Sequence, residues 1–199
     1  KGYCHYYEHR QKNIIKNNIC IVNSRKLLNN YNKINNNITE VKSTTLSASD
    51  FFVREDTCKN NKIRVLFTGR IDPQKGLYKI IEACSFLIKH GYPIELHIAG
   101  IIVKGLEDIP SKLVELSKKH NMGNEFIFHG KLKMGDELNS LYRKSDIYII
   151  ASQSTEGFPR TIWEAMANSL PVIATKVGSI PYYLKNEKNI PLLTVIWLN

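Results

Sequence analysis

The chain has 199 residues, 43% of them hydrophobic, which is enough for about one domain with a packed core. Its formal net charge of +10 favours an anionic partner, but the lysines are dispersed and no arginine-rich or aromatic-basic block occurs, which argues against nucleic acid. No run of about 18 apolar residues predicts a transmembrane helix, and the first residues lack the apolar stretch of a signal peptide. We therefore expect a cytoplasmic location, with association at the inner membrane surface left open.

Neither a metal nor a cofactor is expected from the cysteines and histidines. The four cysteines are scattered without a CxxC pair, so we expect reduced thiols rather than a disulfide framework or a zinc site. His5 and His9 lie four residues apart on a predicted helix, but a zinc site uses three or four protein ligands. We interpret them as surface histidines.

The first sixty residues differ in composition from the rest of the chain. They predict a helix over 6–16, a strand over 19–22 and a helix that begins after Ser24. Residues 29–37 are rich in asparagine and too poor in apolar residues to bury much surface. That composition predicts a loop or a mobile linker.

From Ile63 onwards, predicted strands alternate with predicted helices. The strands are expected over 63–68, 94–99, 125–129, 146–150 and 172–175, and the helices over 77–90, 111–120, 136–144 and the stretch after 159. This alternation predicts an α/β fold with a parallel sheet and helices on both faces. Right-handed crossovers would then bring the carboxyl ends of the strands to one rim, where ligands bind in such sheets.

A glycine-containing turn with two cations follows the first of these strands. Gly69 and Arg70 come at the end of the strand, and Lys75 precedes the first helix. A guanidinium offers a planar fork of donors and an ammonium a compact charge, so both could converge on one diphosphate. The alternative is a capped turn with exposed cations, in which Asp72 is the N-cap and Pro73 the first helical residue. The spacing matches neither the GxGxxG dinucleotide loop nor the Walker A loop.

Two glutamates, eight positions apart, flank the entrance to a later helix. Glu156 follows a buried apolar strand, and Glu164 lies inside the helix. Gly157 and Phe158 can present backbone N–H groups at the helix N-terminus, where negative charge is favoured, and Pro159 suits the helix start. The alternatives are a charge on the helix dipole for Glu156 and a structural glutamate paired with a nearby Arg or Lys for Glu164.

Residues 156–175, with the two glutamates, Gly157, Pro159 and a following proline-led strand, resemble the acidic signature of family 4 of the retaining, nucleotide-sugar-dependent glycosyltransferases, which have the GT-B fold. The resemblance is strong over about 63–185 and weak before residue 60. It implies a Rossmann-like, nucleotide-sugar-binding C-terminal domain over 61–199, cut short at its end. Residues 1–60 would then be a remnant of the N-terminal domain with its linker.

The resemblance also implies roles for single residues. Those expected to be catalytic, or to act on the donor diphosphate and sugar, are Arg70, Lys75 and Glu156. The residues expected to bind the rest of the donor are Glu164, at the ribose hydroxyls, Lys131 and Leu132, at the base, and Gly69, Gly157 and Phe158. No metal is implied, because this family usually needs none.

Three functions are compatible with these residues. The first is an enzyme that transfers a sugar from a nucleotide-diphosphate donor to a carbohydrate or lipid-linked acceptor in cell-envelope or exopolysaccharide synthesis, with an N-terminal half supplied by the same or a separate chain. The second is a non-catalytic fragment or subunit that binds a nucleotide sugar. The third, nucleic-acid binding, rests on the basic charge alone.

Overall fold

The computed structural model describes residues 2–41, 46–153, 157–184 and 195–198. The residues before 42 form a small unit with a two-stranded parallel sheet, made of α1 (Gly2–Lys16), β1 (Cys20–Val22), α2 (Arg25–Tyr31) and β2 (Ile38–Glu40). The two helices and the strand predicted for this part of the chain are therefore confirmed. Within the described ranges, no helix has the length and apolar character needed to cross a membrane.

Residues 32–37 form the predicted loop, whereas residues 29–31 are helical. The segment completes α2, turns and leads into β2, which pairs with β1. Asn35 is only 7% exposed, and its side-chain amide donates hydrogen bonds to the carbonyls of Ile15 and Asn18. Composition alone does not predict that Asn35 is buried. An asparagine amide can be buried when it makes hydrogen bonds to backbone groups, which an apolar side chain could not make.

Six parallel strands and five helices make up the rest of the described fold. In chain order these are β3 (Ile63–Ile71), α3 (Leu77–Lys89), β4 (Ile94–Ile102), α4 (Ile109–Lys119), β5 (Phe126–Gly130), α5 (Asp136–Lys144), β6 (Ile147–Ile150), α6 (Arg160–Ala167), β7 (Val172–Thr175), α7 (Ile180–Tyr183) and β8 (Val195–Leu198). The strand order is β5-β4-β3-β6-β7-β8. The predicted α/β parallel sheet is confirmed, and the order is that of a doubly wound Rossmann-like fold.

β3 is the switch point of the sheet. The strands that follow it directly, β4 and β5, lie on one side of it, and β6, β7 and β8 lie on the other side. β3 pairs with β4 along its whole length, but with β6 only at Val65–Ile147 and Leu66–Tyr148. Right-handed crossovers on either side of this switch put α3 and α4 on one face and α5 and α6 on the other. Beyond Leu66 the two central strands separate, which opens a crevice at the carboxyl ends of the strands.

Strands β3 and β4 both run three residues further than their apolar patterns predict. They end at Ile71 and Ile102, and Gly69 and Gly100 lie opposite each other in the register. A Cβ on Gly100 would come within 1.8 Å of the Gly69 carbonyl oxygen, so only a glycine fits there. The glycines that mark strand ends in the sequence are in fact the positions where two backbones approach closely at the rim.

Helix α3 packs on the sheet through one apolar stripe. Leu77, Ile80, Ile81 and Cys84 are at most 3% exposed and belong to the core. Each fully buried aliphatic side chain of this size contributes roughly 1.5–3 kcal/mol. The core thus fixes α3 against the sheet and, with it, the turn that precedes the helix.

Arg54 fastens the segment before β3 to two helices. Its guanidinium donates hydrogen bonds to four carbonyls: those of Arg143 and Ser145 at 2.7 Å, and those of Tyr142 and Asn168 at 3.3 Å. These carbonyls lie at the C-terminal ends of α5 and α6, where unpaired carbonyls and the helix dipole favour a cation. The division of the chain near residue 60 stays a prediction, but this contact joins residue 54 to the larger sheet.

We expect Arg54→Met to lower the free energy of unfolding by about 2 kcal/mol, because hydrogen bonds to a charged group contribute roughly 1.5–3 kcal/mol. Urea unfolding measures the effect. The control is Lys59→Met, at an exposed position of the same segment, where we expect a change within about 0.5 kcal/mol. Equal effects of the two substitutions would contradict a capping role for Arg54.

Candidate functional site

A cleft of about 340 Å³ lies where β3 and β6 separate. The ends of β3, β4 and β6, the loop after β5 and the first turn of α6 line it. Six of the residues singled out in the sequence meet on its walls: Gly69, Arg70, Lys75, Lys131, Leu132 and Glu164. The structure therefore gathers the cationic turn and the second glutamate at one rim of the sheet, whereas their roles stay predictions.

The cationic turn is capped as one of its two interpretations requires. The carboxylate of Asp72 accepts a hydrogen bond from the Gln74 amide at 2.9 Å, and Pro73 follows the cap. The cations are not both exposed, however, because Lys75 is only 8% exposed whereas Arg70 is exposed. Lysines are seldom fully buried unless they are paired, so Lys75 is a partnered cation in the cleft wall.

Gly76 determines how closely the turn packs under the cleft. Its φ of 74° lies in the left-handed region, and a Cβ there would come within 2.0 Å of the Ala151 carbonyl oxygen. The turn after β3 thus lies directly against the end of β6. Any side chain at this position would push Lys75 away from its place in the wall.

Helix α6 begins at Arg160 after Pro159, and both residues line the cleft together with Thr161 and Glu164. Arg160 had no defined role in the sequence, and the structure places it on the same wall as Glu164. The Glu164 carboxylate accepts a hydrogen bond from the Tyr142 hydroxyl at 2.9 Å. Its partner is therefore a tyrosine, and not the arginine or lysine that the structural alternative supposed.

Of the three residues singled out just before α6, the structure describes two. Glu156 lies outside the described residues, so its expected contact with a donor sugar stays a prediction. Gly157 and Phe158 are described and do not line the cleft. The Phe158 ring packs at 4.5 Å from the ring of Trp163 and edge-on at 5.2 Å from that of Tyr183, which anchors the start of α6 in an aromatic cluster.

Two buried tyrosines support the cleft from below. Tyr142 on α5 and Tyr148 on β6 are both 0% exposed. The Tyr142 hydroxyl bonds to Thr68 as well as to Glu164, and that of Tyr148 bonds to the Thr161 hydroxyl at 2.7 Å. The sequence assigned neither residue to the site. A signal was present, because a tyrosine on an apolar face normally needs a partner for its hydroxyl.

The loop between β5 and α5 forms one end of the cleft. Lys131, Leu132 and Met134 contribute to its wall, together with Leu138 from the first half of α5. Most of these side chains are apolar, and Met134 is 72% exposed. This end suits a flat apolar group such as a nucleobase better than it suits a phosphate.

A second cavity of about 800 Å³ adjoins the first, and Leu132 lines both. In it, His97 Nδ1 and His129 Nε2 are 2.9 Å apart with their rings stacked, and burial lowers the pKa of both imidazoles. Glu95 Oε2 lies 3.7 Å from His97 Nε2. The other charged groups of the cavity are Arg64, Glu137 and Lys144. No group of three or more side chains that could hold a metal ion occurs among the described residues.

The two histidines should make stability depend on pH. Their pKa values are lower in the folded chain than in the unfolded one, so the unfolded chain binds more protons and stability is lost as the pH falls below about 6.5. We expect the double variant His97→Gln/His129→Gln to show a smaller loss of unfolding free energy between about pH 7.5 and pH 5.5. Urea unfolding at each pH provides the measurement, with His90→Gln, at an exposed position, as the control. A wild-type pH dependence in the double variant would exclude the pair as its source.

A doubly wound parallel sheet with a cleft at its switch point defines a Rossmann-like α/β protein. Residues 49–193 match the model of the family described as glycosyl transferases group 1, and the chain belongs to that family. Protein CapJ of Staphylococcus aureus is 35% identical over 173 residues, which are 86% of this chain and 42% of CapJ. The chain therefore spans less than half the length of this relative.

Solved structures bear out the fold. The C-terminal domain of LpcC, a glycosyl transferase group 1 family protein from Francisella tularensis, is 26% identical with a TM-score of 0.58, over 72% of this chain and 77% of that domain. Anabaena HepE, solved with UDP and glucose, is 19% identical with a TM-score of 0.70, over 90% of this chain and 48% of HepE. The fold is thus that of part of a GT-B glycosyltransferase.

Proposed function

We propose that this chain is the donor-binding part of an enzyme that transfers a sugar from a nucleoside-diphosphate donor with retention of configuration, as in the retaining glycosyltransferases of family 4. The supporting observation is the cleft at the switch point, which gathers Arg70 and Lys75 from one turn and Glu164 from α6. Membership of the glycosyl transferase group 1 family supports the reaction type. HepE, which has the same fold, was solved with UDP and glucose.

The diphosphate binds at the cationic end of the cleft. Arg70 supplies a planar fork of donors, and Lys75 supplies a partly desolvated positive charge. The N-terminus of α6, which opens at Arg160 on the same wall, adds backbone N–H groups and the positive end of a helix dipole. Together these groups match the two to three negative charges of a diphosphate.

The nucleoside binds along the remaining walls. Glu164 accepts hydrogen bonds from the ribose hydroxyls, a task that suits a carboxylate because each of its oxygens can accept more than one hydrogen bond. Leu132 and its neighbours pack against the base, while the backbone of Lys131 and Leu132 reads its edge. Backbone contacts leave the identity of the base open, so uridine, guanosine and adenosine diphosphates are all candidates.

The reaction breaks the bond between the anomeric carbon and the diphosphate oxygen, and the bonding electrons leave with the diphosphate. Arg70 and Lys75 stabilise this developing charge, and loss of one well-placed donor of this kind costs roughly 2.7–4 kcal/mol in the transition state. By family resemblance, Glu156 contacts the donor sugar. The acceptor hydroxyl then forms the new glycosidic bond on the same face of the sugar, and its proton is released.

The acceptor side belongs to an N-terminal half that includes residues 1–60. The small β1–β2 sheet supports this assignment, because Ile19 and Ile21 are 86% and 73% exposed and two strands alone make a marginal sheet. The acceptor is a carbohydrate or a lipid-linked carbohydrate of the cell envelope or an exopolysaccharide. The net charge of +10 would favour work at the anionic cytoplasmic face of a membrane.

Binding of nucleoside diphosphates tests the cleft. Of UDP, GDP and ADP, at least one should bind in calorimetry, and Arg70→Gln and Lys75→Gln should each weaken that binding at least about tenfold through loss of charge-assisted hydrogen bonds. The matched control is Lys79→Gln on α3, which is exposed and lies outside the cleft. Binding of none of the three nucleotides, or an equal loss in the control, would overturn the proposed site.

A second candidate function is a subunit that binds a nucleotide sugar without transferring it. The cleft is compatible with it, since binding of a donor uses only groups such as Arg70, Lys75 and Glu164 that the cleft already contains. Sugar transfer by the chain together with an N-terminal half distinguishes the two functions. For the enzyme, we expect Glu156→Gln to reduce turnover at least about a hundredfold while donor binding persists, in line with loss of one electrostatic contact in the transition state. Donor binding with no transfer in any combination would favour the second function.

A further inference from the structure

The Tyr142 side chain lies beneath the functional cleft, and the shortest hydrogen bonds of its hydroxyl reach two residues of the cleft wall, Glu164 and Thr68. The ring is fully buried below the cleft, and its hydroxyl lies 2.9 Å from Glu164 Oε2. The same hydroxyl makes a short hydrogen bond with Thr68 Oγ1, next to the cationic turn. Tyr142 itself does not line the cleft, so any ligand there would meet Glu164 but not the tyrosine.

The number of protons sets the direction of these hydrogen bonds. A phenol has one proton, and an ionised carboxylate can only accept, so Tyr142 donates to Glu164. Thr68 must then donate its hydroxyl proton to the Tyr142 oxygen. Burial also raises the pKa of Tyr142 well above its usual range, which keeps the phenol protonated as a donor. The result is a one-way chain from Thr68 through Tyr142 to Oε2 of Glu164.

A separate pair of hydroxyls contacts the first turn of α6 and not the Glu164 side chain. The Tyr148 hydroxyl donates to the Thr161 hydroxyl at 2.7 Å and also lies 3.2 Å from the Thr68 carbonyl oxygen. This contact ties the first turn of α6 to the end of β3. The Tyr142 hydroxyl also lies 3.5 Å from the Thr161 carbonyl oxygen, but its contact with Glu164 is shorter, at 2.9 Å, so its main effect falls on the Glu164 carboxylate.

We propose that Tyr142 is a positioning residue that holds Oε2 of Glu164 and leaves Oε1 as a fixed acceptor for the vicinal hydroxyls of a ribose, so that the cleft selects ribonucleoside over 2′-deoxyribonucleoside diphosphates. The inference rests on the proposed function, because it needs the nucleoside to lie at Glu164. A carboxylate with one oxygen held has less rotamer freedom to lose on binding. A ligand without the 2′-hydroxyl leaves part of that acceptor unpaired in a confined site, and such sites reject it.

The test compares UDP, GDP and ADP with their 2′-deoxy counterparts in calorimetry. For the nucleotide that binds, we expect the wild-type chain to prefer the ribo form by about tenfold, as one hydrogen bond to a charged group predicts. Tyr142→Phe should reduce this preference to about twofold or less, mainly by weakening the ribo form. In a chain that already carries Glu164→Gln, Tyr142→Phe should not change the ribo preference further, because both substitutions act through the same carboxylate.

Tyr148→Phe is the matched control, since it removes a buried hydroxyl from the same region that does not contact Glu164. It should lower thermal stability about as much as Tyr142→Phe and retain the ribose preference. Equal weakening of the ribo and deoxy forms by Tyr142→Phe would show that the tyrosine is merely structural. A wild-type chain that binds both forms equally would overturn the proposal without any variant and leave the proposed function standing. If no nucleoside diphosphate binds at all, both fall together.

Discussion

Strand β3 imposes the constraint on which the site depends. It is paired on both sides, but it pairs with β6 only as far as Leu66 and Tyr148. Backbone groups beyond that point need other partners, and the Thr68 carbonyl finds one in the Tyr148 hydroxyl. Separation of the two central strands therefore creates both the cleft and the demand for polar support beneath it. The residues just after Thr68 carry the cationic turn.

The polar groups under the cleft are few and mutually satisfied. Two tyrosines and two threonines connect β3, β6, α5 and α6 through their hydroxyls, within a core that is otherwise largely apolar. Such a network specifies one arrangement, because each buried hydroxyl that lost its partner would add an unfavourable desolvation term. The position of Glu164 therefore depends on contacts among β3, β6, α5 and α6, and not on α6 alone.

The segment before β3 contacts the same two helices at their C-terminal ends. Arg54 holds the C-terminal carbonyls of α5 and α6, while the Tyr142 hydroxyl joins these helices beneath the cleft. In addition, the Ser24 hydroxyl lies 2.8 Å from that of Ser179, just before α7. The first sixty residues are thus connected to the elements that build the site, which gives an N-terminal half a physical route by which to influence donor binding.

Local patterns in the sequence determined the alternation of strands and helices, the capped turn after β3 and the gathering of cations and a glutamate at one rim, because periodicity and parallel topology act over short distances or by general rules. The tertiary structure alone decided the rest. It ordered the Asn-rich segment through Asn35, buried Lys75, moved Phe158 into an aromatic cluster and paired Tyr142 with Glu164. Each of these contacts depends on a partner that is distant in sequence. A local sequence pattern does not predict which distant group a buried polar or aromatic side chain will contact.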